Sequence, residues 1–296
     1  MNILISGSGG FIGKAAAESF CAKGDKVIRL VRPPAVAGDD KVIWEPSEGR
    51  LDTLPIEPDA VVHLAGENIF GLWTHAKKRR IYDSRIQSTA LLAERLAAMS
   101  HKPEVFVCAS AVGFYGHRGE QILTEAAAGG EGFLSEVCRD WEAAAEPARR
   151  AGIRTVALRF GMVLAAHGGA LAKMLPVFRM GLGGTLGDGR QWTSWITLSD
   201  AVRAMLFAIQ NDVLSGAINV VSPNPVRNAE LTQLLAQTLH RPAILPVPSA
   251  MLRLMLGDFA KETLLASVRA SPQKLLDAGF CFQYPSLADA LTAIPA

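Results

Sequence analysis

The string Ser6-Gly7-Ser8-Gly9-Gly10-Phe11-Ile12-Gly13 follows a short apolar run, Ile3–Ser6, and opens a helical one, Phe11–Cys21. Gly7, Gly10 and Gly13 recur at every third position, a series unlike the GxGxxG of many dinucleotide enzymes. A turn without side chains lets backbone amides approach a pyrophosphate, whose charge then faces the N-terminus of the helix. Gly13 would in addition let that helix pack closely on the sheet. A glycine-rich turn with no ligand is the other reading. The next strand ends Ile28-Arg29-Leu30-Val31-Arg32. Where NAD is bound, an Asp or Glu stands near this point for the ribose hydroxyls. A guanidinium at Arg32 suits a 2′-phosphate instead, so NADP(H) is the expected cofactor. A solvated arginine at a strand end is the alternative.

These residues need an alternating scaffold, and the chain reads as one. Strands are expected at Ile3–Ser6, Lys26–Val31, Asp59–Ala65, Glu104–Ser110, Arg154–Phe160 and Ala217–Val221. Helices are expected at Phe11–Cys21, through Ser84–Ala98, at Leu134–Arg150 and at Ser199–Ile209. Near-continuous apolar strands alternating with amphipathic helices indicate an α/β fold: a Rossmann-like, doubly wound parallel sheet covered on both faces. Residues 1–222 would form the dinucleotide-binding domain, with 164–190 contributing to a substrate lobe. Residues 223–296, broken by Pro225, Pro242, Pro246, Pro248 and Pro272, would form the rest of that smaller, mainly helical C-terminal lobe.

Composition narrows the function classes. The 30 basic and 28 acidic side chains leave a net charge of +2, which gives no reason to expect nucleic acid or an acidic membrane as partner. Cys21, Cys108, Cys138 and Cys281 lie far apart, so free thiols in a reducing compartment are expected and a structural zinc is not. No secretory signal and no membrane-length apolar run is visible, and a cytoplasmic protein is the expectation.

Several separated motifs resemble extended short-chain dehydrogenases/reductases. Ser6–Gly13 is similar to their TGxxGFIG opening, Val62-His63-Leu64-Ala65-Gly66 to their HLAA segment, and Trp195–Asp200 to their late FIHVDD segment. Leu158-Arg159-Phe160-Gly161-Met162-Val163 resembles the strand and loop that pass the nicotinamide. A narrower resemblance, to the epimerase-family proteins of the YfcH type, covers nearly the whole chain. It rests on Leu64–Asn68, Asp83-Ser84-Arg85, Ala109–Gly116, Cys138–Glu142, Gly187–Trp192 and Pro225–Asn228. The last of these opens a region similar to that family's C-terminal domain of unknown function. The resemblance implies cofactor contacts at Gly7, Gly10, Phe11, Ile12, Gly13, Val31, Arg32, Leu64, Ala65, Gly66, Ser110 and Val163. Arg85 stands where sugar-nucleotide enzymes commonly have an asparagine and is a candidate contact for the cofactor's phosphate side or a substrate anion, a surface salt bridge being the other reading.

It also implies a Tyr-xxx-Lys pair, and here the chain departs from the pattern. The tyrosine position falls on Leu134 and the lysine position on Cys138. Neither can pass a proton in the usual way. Candidate replacements are Ser110, which could orient a carbonyl; Tyr115, a phenol in a glycine-flanked loop; and Glu67, a carboxylate beside the cofactor segment. Arg190, Gln191, Trp192 and Trp195 are candidate substrate contacts, since aromatic and guanidinium groups suit a flat or anionic ligand; packing of the lobe onto the Rossmann domain is the other reading, an equal one for Trp195. His63 reads as a satisfied core histidine, Lys173 as a solvated lysine and Lys77–Arg80 as a solvated helix face. Two functions stay open: an NADP(H)-dependent oxidoreductase or epimerase acting on a small molecule, or a non-catalytic NADP(H)-binding regulator, since some relatives carry a cell-division-inhibitor label. The resemblance also implies a homodimer through the two long helices that would include Ser84–Ala98 and Leu134–Arg150; the apolar face of either helix lying in the internal core is the equal alternative.

Overall fold

In the computed structural model, which describes residues 1–294, strand β1 (Asn2–Ser6) sends Ile3 and Ile5 into one core and Leu4 into another. That alternation is the period-two geometry of a strand buried on both faces. Next along the chain are α1 (Phe11–Ala22), β2 (Lys26–Val31), β3 (Lys41–Glu45), β4 (Arg50–Leu51), β5 (Ala60–His63), α2 (His75–Ala97) and β6 (Val105–Ala111). The middle third holds β7 (Ile122–Leu123), α3 (Phe133–Ala143), α4 (Glu146–Arg150), β8 (Arg154–Phe160), β9 (Met162–Ala165), β10 (Gly168–Gly169) and α5 (Leu171–Arg179). Then come β11 (Trp192–Thr193), β12 (Trp195–Thr197), α6 (Leu198–Gln210), β13 (Gly216–Val220), β14 (Val226–Arg227) and α7 (Asn228–Leu239). The chain closes with α8 (Ser249–Leu256), β15 (Arg269–Ala270), α9 (Gln273–Asp277) and α10 (Leu287–Ala293).

The main sheet has the order β13-β8-β6-β5-β1-β2-β3-β4, and every pairing is parallel except β3 with the short edge strand β4. From β1 the chain winds outward to β3, then returns to β5 beside β1 and winds the other way. This is the doubly wound fold, with its switch point between β1 and β5, where ligands of such sheets bind beyond the strand ends. One face is covered by α1 and α6 through Ala16, Phe20, Ala201 and Met205, the other by α2 and α4 through Leu92, Leu96 and Ala148. No helix among the described residues is long and apolar enough to cross a membrane.

Three local features differ from the sequence expectation. The helical stretch Leu134–Arg150 divides into α3 and α4, because Pro147 fits the first turn of a new helix but not the interior of an old one. Helix α2 starts at His75, where the Thr74 hydroxyl accepts the Lys77 amide as an N-cap. Strand β3, not anticipated, extends the sheet and buries Val42 and Trp44.

A second core joins α5, α7 and α10 to the small sheet β10-β9-β12 around Leu164, Phe178, Trp195 and Leu235. The residues after 222 do not all belong to it. Leu275 of α9 and Phe280 pack into the main core, and β15 pairs with β7, so the C-terminal stretch is threaded back onto the Rossmann unit.

Gly13 sets how closely α1 approaches the turn before it: an ideal Cβ there would stand 2.1 Å from the Gly7 carbonyl oxygen, whereas one at Gly9 would meet nothing within 4 Å. Gly13→Ala is therefore expected to lower unfolding stability by about 1–3 kcal/mol, as overfilled packing does. Gly9→Ala should stay within about 0.5 kcal/mol of the parent. Urea unfolding of the two variants checks the contrast.

Candidate functional site

Gly7 adopts φ +72°, and an ideal Cβ on it would lie 2.7 Å from the Leu64 carbonyl carbon. Its carbonyl accepts the Gly10 amide at 2.9 Å, closing the turn. Gly10 caps α1 without any side-chain acceptor, and the first turn holds no acid. The leading amides, Phe11, Ile12 and Gly13 among them, are thus open to a bound anion. The Leu64-Ala65-Gly66 segment leaves β5 alongside this turn. Val31 and Arg32 stand at the matching end of β2; Arg29 is tied to Asp40, while Arg32 is exposed and makes no ion pair among the described residues. The β9–β10 hairpin, which carries the buried Val163, sits on the start of α1: Phe11 fills the space where Cβ atoms of Gly168 and Gly169 would be.

Beside the turn, the register of three strands places Ser110, Arg159 and Asn219 in one row across β6, β8 and β13. Arg159, with only 5% of its side chain exposed, binds Glu142 of α3 through both carboxylate oxygens, each at 2.8 Å. Ser110 donates to the same carboxylate at 2.7 Å. Its proton is therefore committed while Glu142 is ionised, and its oxygen is left to accept. That corrects the expectation that Ser110 would donate to a substrate carbonyl.

Tyr115 is not a proton donor to the cleft. It is fully buried; its hydroxyl donates to Asn219 Oδ1 at 2.7 Å or to the Thr124 carbonyl at 3.1 Å, and accepts from Arg159 at 3.0 Å. Burial raises its pKa, opposed by the Arg159 charge. The phenol was read from a glycine-flanked loop, but the chain turns it inward. Tyr82 is no better an acid: its hydrogen bond to Asp140 and its burial push it up to about 12.

Helix α3 brings Leu134 and Cys138 against Gly113, at the end of β6, where the tyrosine and lysine would stand. Cys138 is buried, and that burial pushes the thiol up to about 11. Glu67 is held by Lys77 at 2.7 Å with Arg80 at 3.6 Å, and the Lys77 hydrogen bond leads the effects that lower its pKa. It is thus kept ionised and turned toward α2. Lys78 pairs with Asp258 at 2.6 Å. The basic run is therefore not a plain solvated face: three of its four cations hold carboxylates of neighbouring segments, while Arg79 lies 3.6 Å from Asp83 of its own helix. Lys173 lies 4.2 Å from the centroid of Phe70. Arg85 runs under Gly66, donating through Nη1 to the Glu67 and Ile81 carbonyls, both at 3.1 Å. His63 is the core residue the sequence suggested, buried between Ser6 Oγ at 2.6 Å and Ser88 Oγ at 3.0 Å.

Of the substrate candidates, two are structural. Gln191 is buried and spends its amide on the Leu186 and Leu264 carbonyls, both at 3.0 Å. Trp195 is fully buried in the lobe core and donates to the Asn224 carbonyl at 2.9 Å. Trp192 is half-buried, bonds Glu120 at 2.8 Å and lies under Arg227 and Arg269; Arg190 is exposed. Sequence reading missed the Glu142–Arg159 pair and Glu262, whose carboxylate accepts the Phe133 and Leu134 amides at the start of α3. Arg159 carried a usable signal: a cation inside an otherwise apolar buried strand demands a counter-charge.

Residues 3–221 match the family described as NAD dependent epimerase/dehydratase, and residues 247–294 match a domain of unknown function. An epimerase family protein of Mycobacterium leprae is 43% identical over 293 residues, covering 98% of this chain and 94% of that one. The crystal structure of human epimerase family protein SDR39U1 with NADPH superposes with a TM-score of 0.91 at 32% identity, covering 99% of each chain. A UDP-glucose 4-epimerase of Thermotoga maritima, at 19% identity and TM-score 0.75 over 99% of this chain and 96% of that one, shares the fold.

Two outcomes follow from the buried charges. Burial, helped by the Arg85 charge, lowers the His63 pKa to about 3, below the 6.5 of the free side chain. The unfolded chain then takes up a proton that the folded one refuses. Stability contributed by neutral His63 is complete above about pH 6.5 and falls toward pH 3 by up to about 1.4 kcal/mol per unit. His63→Gln should flatten that slope in pH-dependent urea unfolding. Glu142→Ala leaves Arg159 buried without its partner and should cost about 3–5 kcal/mol, read as a lowered unfolding midpoint.

Proposed function

The chain belongs to the NAD-dependent epimerase/dehydratase family, and on that premise we propose that it binds NADP(H) and transfers hydride to or from a small-molecule carbonyl or alcohol. One observation carries the reading: a side-chain-free turn and an uncapped helix start lie at the switch point of the sheet, with Arg32, which makes no ion pair among the described residues, at the end of the next strand. The turn amides would hold the diphosphate and Arg32 the 2′-phosphate. The NADPH in the human relative supports the same choice. Bound there, the nicotinamide supplies the hydride chemistry, and the protein supplies position and electrostatics.

The chain's own residues shape what the ligand meets. With its proton on Glu142, Ser110 presents an acceptor oxygen and favours a ligand hydroxyl over a carbonyl. Leu134 and Cys138 give the α3 side an uncharged wall. Tyr115 takes no part in proton transfer. A second reading, a non-catalytic NADP(H)-binding regulator, is favoured by that same wall, because no phenol and ammonium stand on α3 to move a proton.

Calorimetric titration with NADPH and NADH tests the cofactor assignment. NADPH is expected to bind at least about tenfold more tightly, with the preference lost in Arg32→Ala, since a charge-assisted phosphate contact is worth more than about 1.4 kcal/mol. Equal binding of the two cofactors, or a preference that survives Arg32→Ala, sinks the assignment.

A further inference from the structure

The floor of the cleft, with the Ser110 oxygen, can meet hydroxyl groups; the walls beyond it offer almost nothing polar. Glu142 and Arg159 bind each other, Tyr115 turns inward, and Gln191 bonds two carbonyls. Glu262 is spent on the amides that open α3, and the Thr263 hydroxyl on the Phe259 carbonyl. What these groups leave is apolar. Leu134, on the α3 wall, packs with Phe133 and Leu264 onto a separate hydrophobic cluster built around Trp73, Val137 and Phe259. Ligand hydroxyls laid against such a surface would lose water without gaining partners.

The apolar surface continues outward. Phe70 meets Phe259 edge-on, with ring centroids 5.3 Å apart, yet is 49% exposed. Its loop leaves the floor at Gly66. Helix α5 leaves the same region on the other side, directly after the β9–β10 hairpin that sits on Phe11. The two segments meet again at the rim, where Lys173 Nζ lies 4.2 Å from the Phe70 ring centroid. Lys173 has no hydrogen bond or ion pair among the described residues, and neither α5 nor residues 68–74 contain an Asp or Glu. An aromatic surface that ends on a cation without a counter-charge matches a ligand that is apolar along its body and anionic at its end.

We propose that the substrate of this cleft is an apolar carbonyl or alcohol compound carrying one anionic group, with its body along Leu134 and Phe70 and the anionic group on Lys173. The inference rests on the NADP(H) reading and names the substrate class for the same site. Lys173 and Phe70 select the ligand and take no part in the hydride step. An arriving anion draws Lys173 from the face of Phe70, and the freed ring packs on the ligand body. A sugar nucleotide is the wrong match: its hydroxyls and diphosphate would face walls whose polar groups are already paired.

The test is calorimetry on the full chain with three probes: naphthalene-2-carboxylate, its neutral carboxamide, and UDP-glucose, each with and without NADPH. The carboxylate should bind about threefold to fivefold more tightly than the carboxamide, the scale of an exposed ion pair, and more tightly than UDP-glucose. Lys173→Met keeps an unbranched stem and should abolish the difference between acid and amide. Phe70→Ser should weaken both aromatic probes by about fivefold or more. Both side chains are exposed, so thermal melts of the two variants should match the parent. UDP-glucose binding more tightly than the carboxylate, an acid preference that survives Lys173→Met, or aromatic probes indifferent to Phe70→Ser overturns the proposal. A chain that binds NADPH and neither aromatic probe overturns the proposal and leaves the cofactor reading standing. One that binds the carboxylate through Lys173 but no NADPH overturns the cofactor reading and leaves the ligand class.

Discussion

A guanidinium buried between strands β6, β8 and β13 governs the chemistry of this fold. Arg159 cannot be withdrawn from water without a counter-charge, and Glu142 supplies one from α3 through two parallel hydrogen bonds. That pairing fixes the rotation of α3 against the sheet. It also consumes the neighbours: Ser110 donates into the carboxylate, Tyr115 accepts from the guanidinium, and Asn219 accepts from Tyr115 while donating to the Leu123 and Ser271 carbonyls. The polar groups under the cleft satisfy one another, so they are well placed to hold the strand ends rigid and poorly placed to exchange protons.

The parts legible in the sequence are those whose cause is local. Alternating apolar runs declare buried parallel strands, and the glycine series declares a backbone turn, because each depends on a few consecutive residues. The buried network is different. Tyr115 meets Asn219 across 104 positions, and Ser110 meets Glu142 across 32. A loop tyrosine, a glutamine and a tryptophan near glycines look like ligand contacts in one dimension. Only the packed chain shows that Tyr115, Gln191 and Trp195 point inward to backbone carbonyls and core. The basic run at Lys77–Arg80 looked solvated for the same reason: its carboxylate partners Glu67 and Asp258 lie on other segments.

The C-terminal stretch illustrates how distant sequence can finish a local site. Helix α3 begins after Gly132, at φ +103°, with no side-chain cap of its own. Its first amides would be unsatisfied, and Glu262 accepts two of them from 128 and 129 residues away. Nothing in the capping signals near residue 132 discloses this. Because α3 also carries Cys138 and Glu142, the C-terminal segment helps to set the wall of the cleft as well as covering it. Phe11 against Gly168 does the same from the other side, pressing the β9–β10 hairpin onto the phosphate turn.

These constraints together reshape what a reaction here can use. A phenol paired with an ammonium on α3 would need space and solvation beside Ser110; instead a leucine and a buried thiol fill that wall. The carboxylate that might replace them, Glu142, is neutralised by Arg159, and Glu67 is drawn toward Lys77. What remains at the floor is an acceptor oxygen on Ser110 and the charge of Arg85. That combination suits holding a hydroxyl-rich ligand more than donating a proton to it. In any hydride transfer, proton movement would then fall to the ligand's own groups or to water, with the protein contributing fixed geometry and electrostatics.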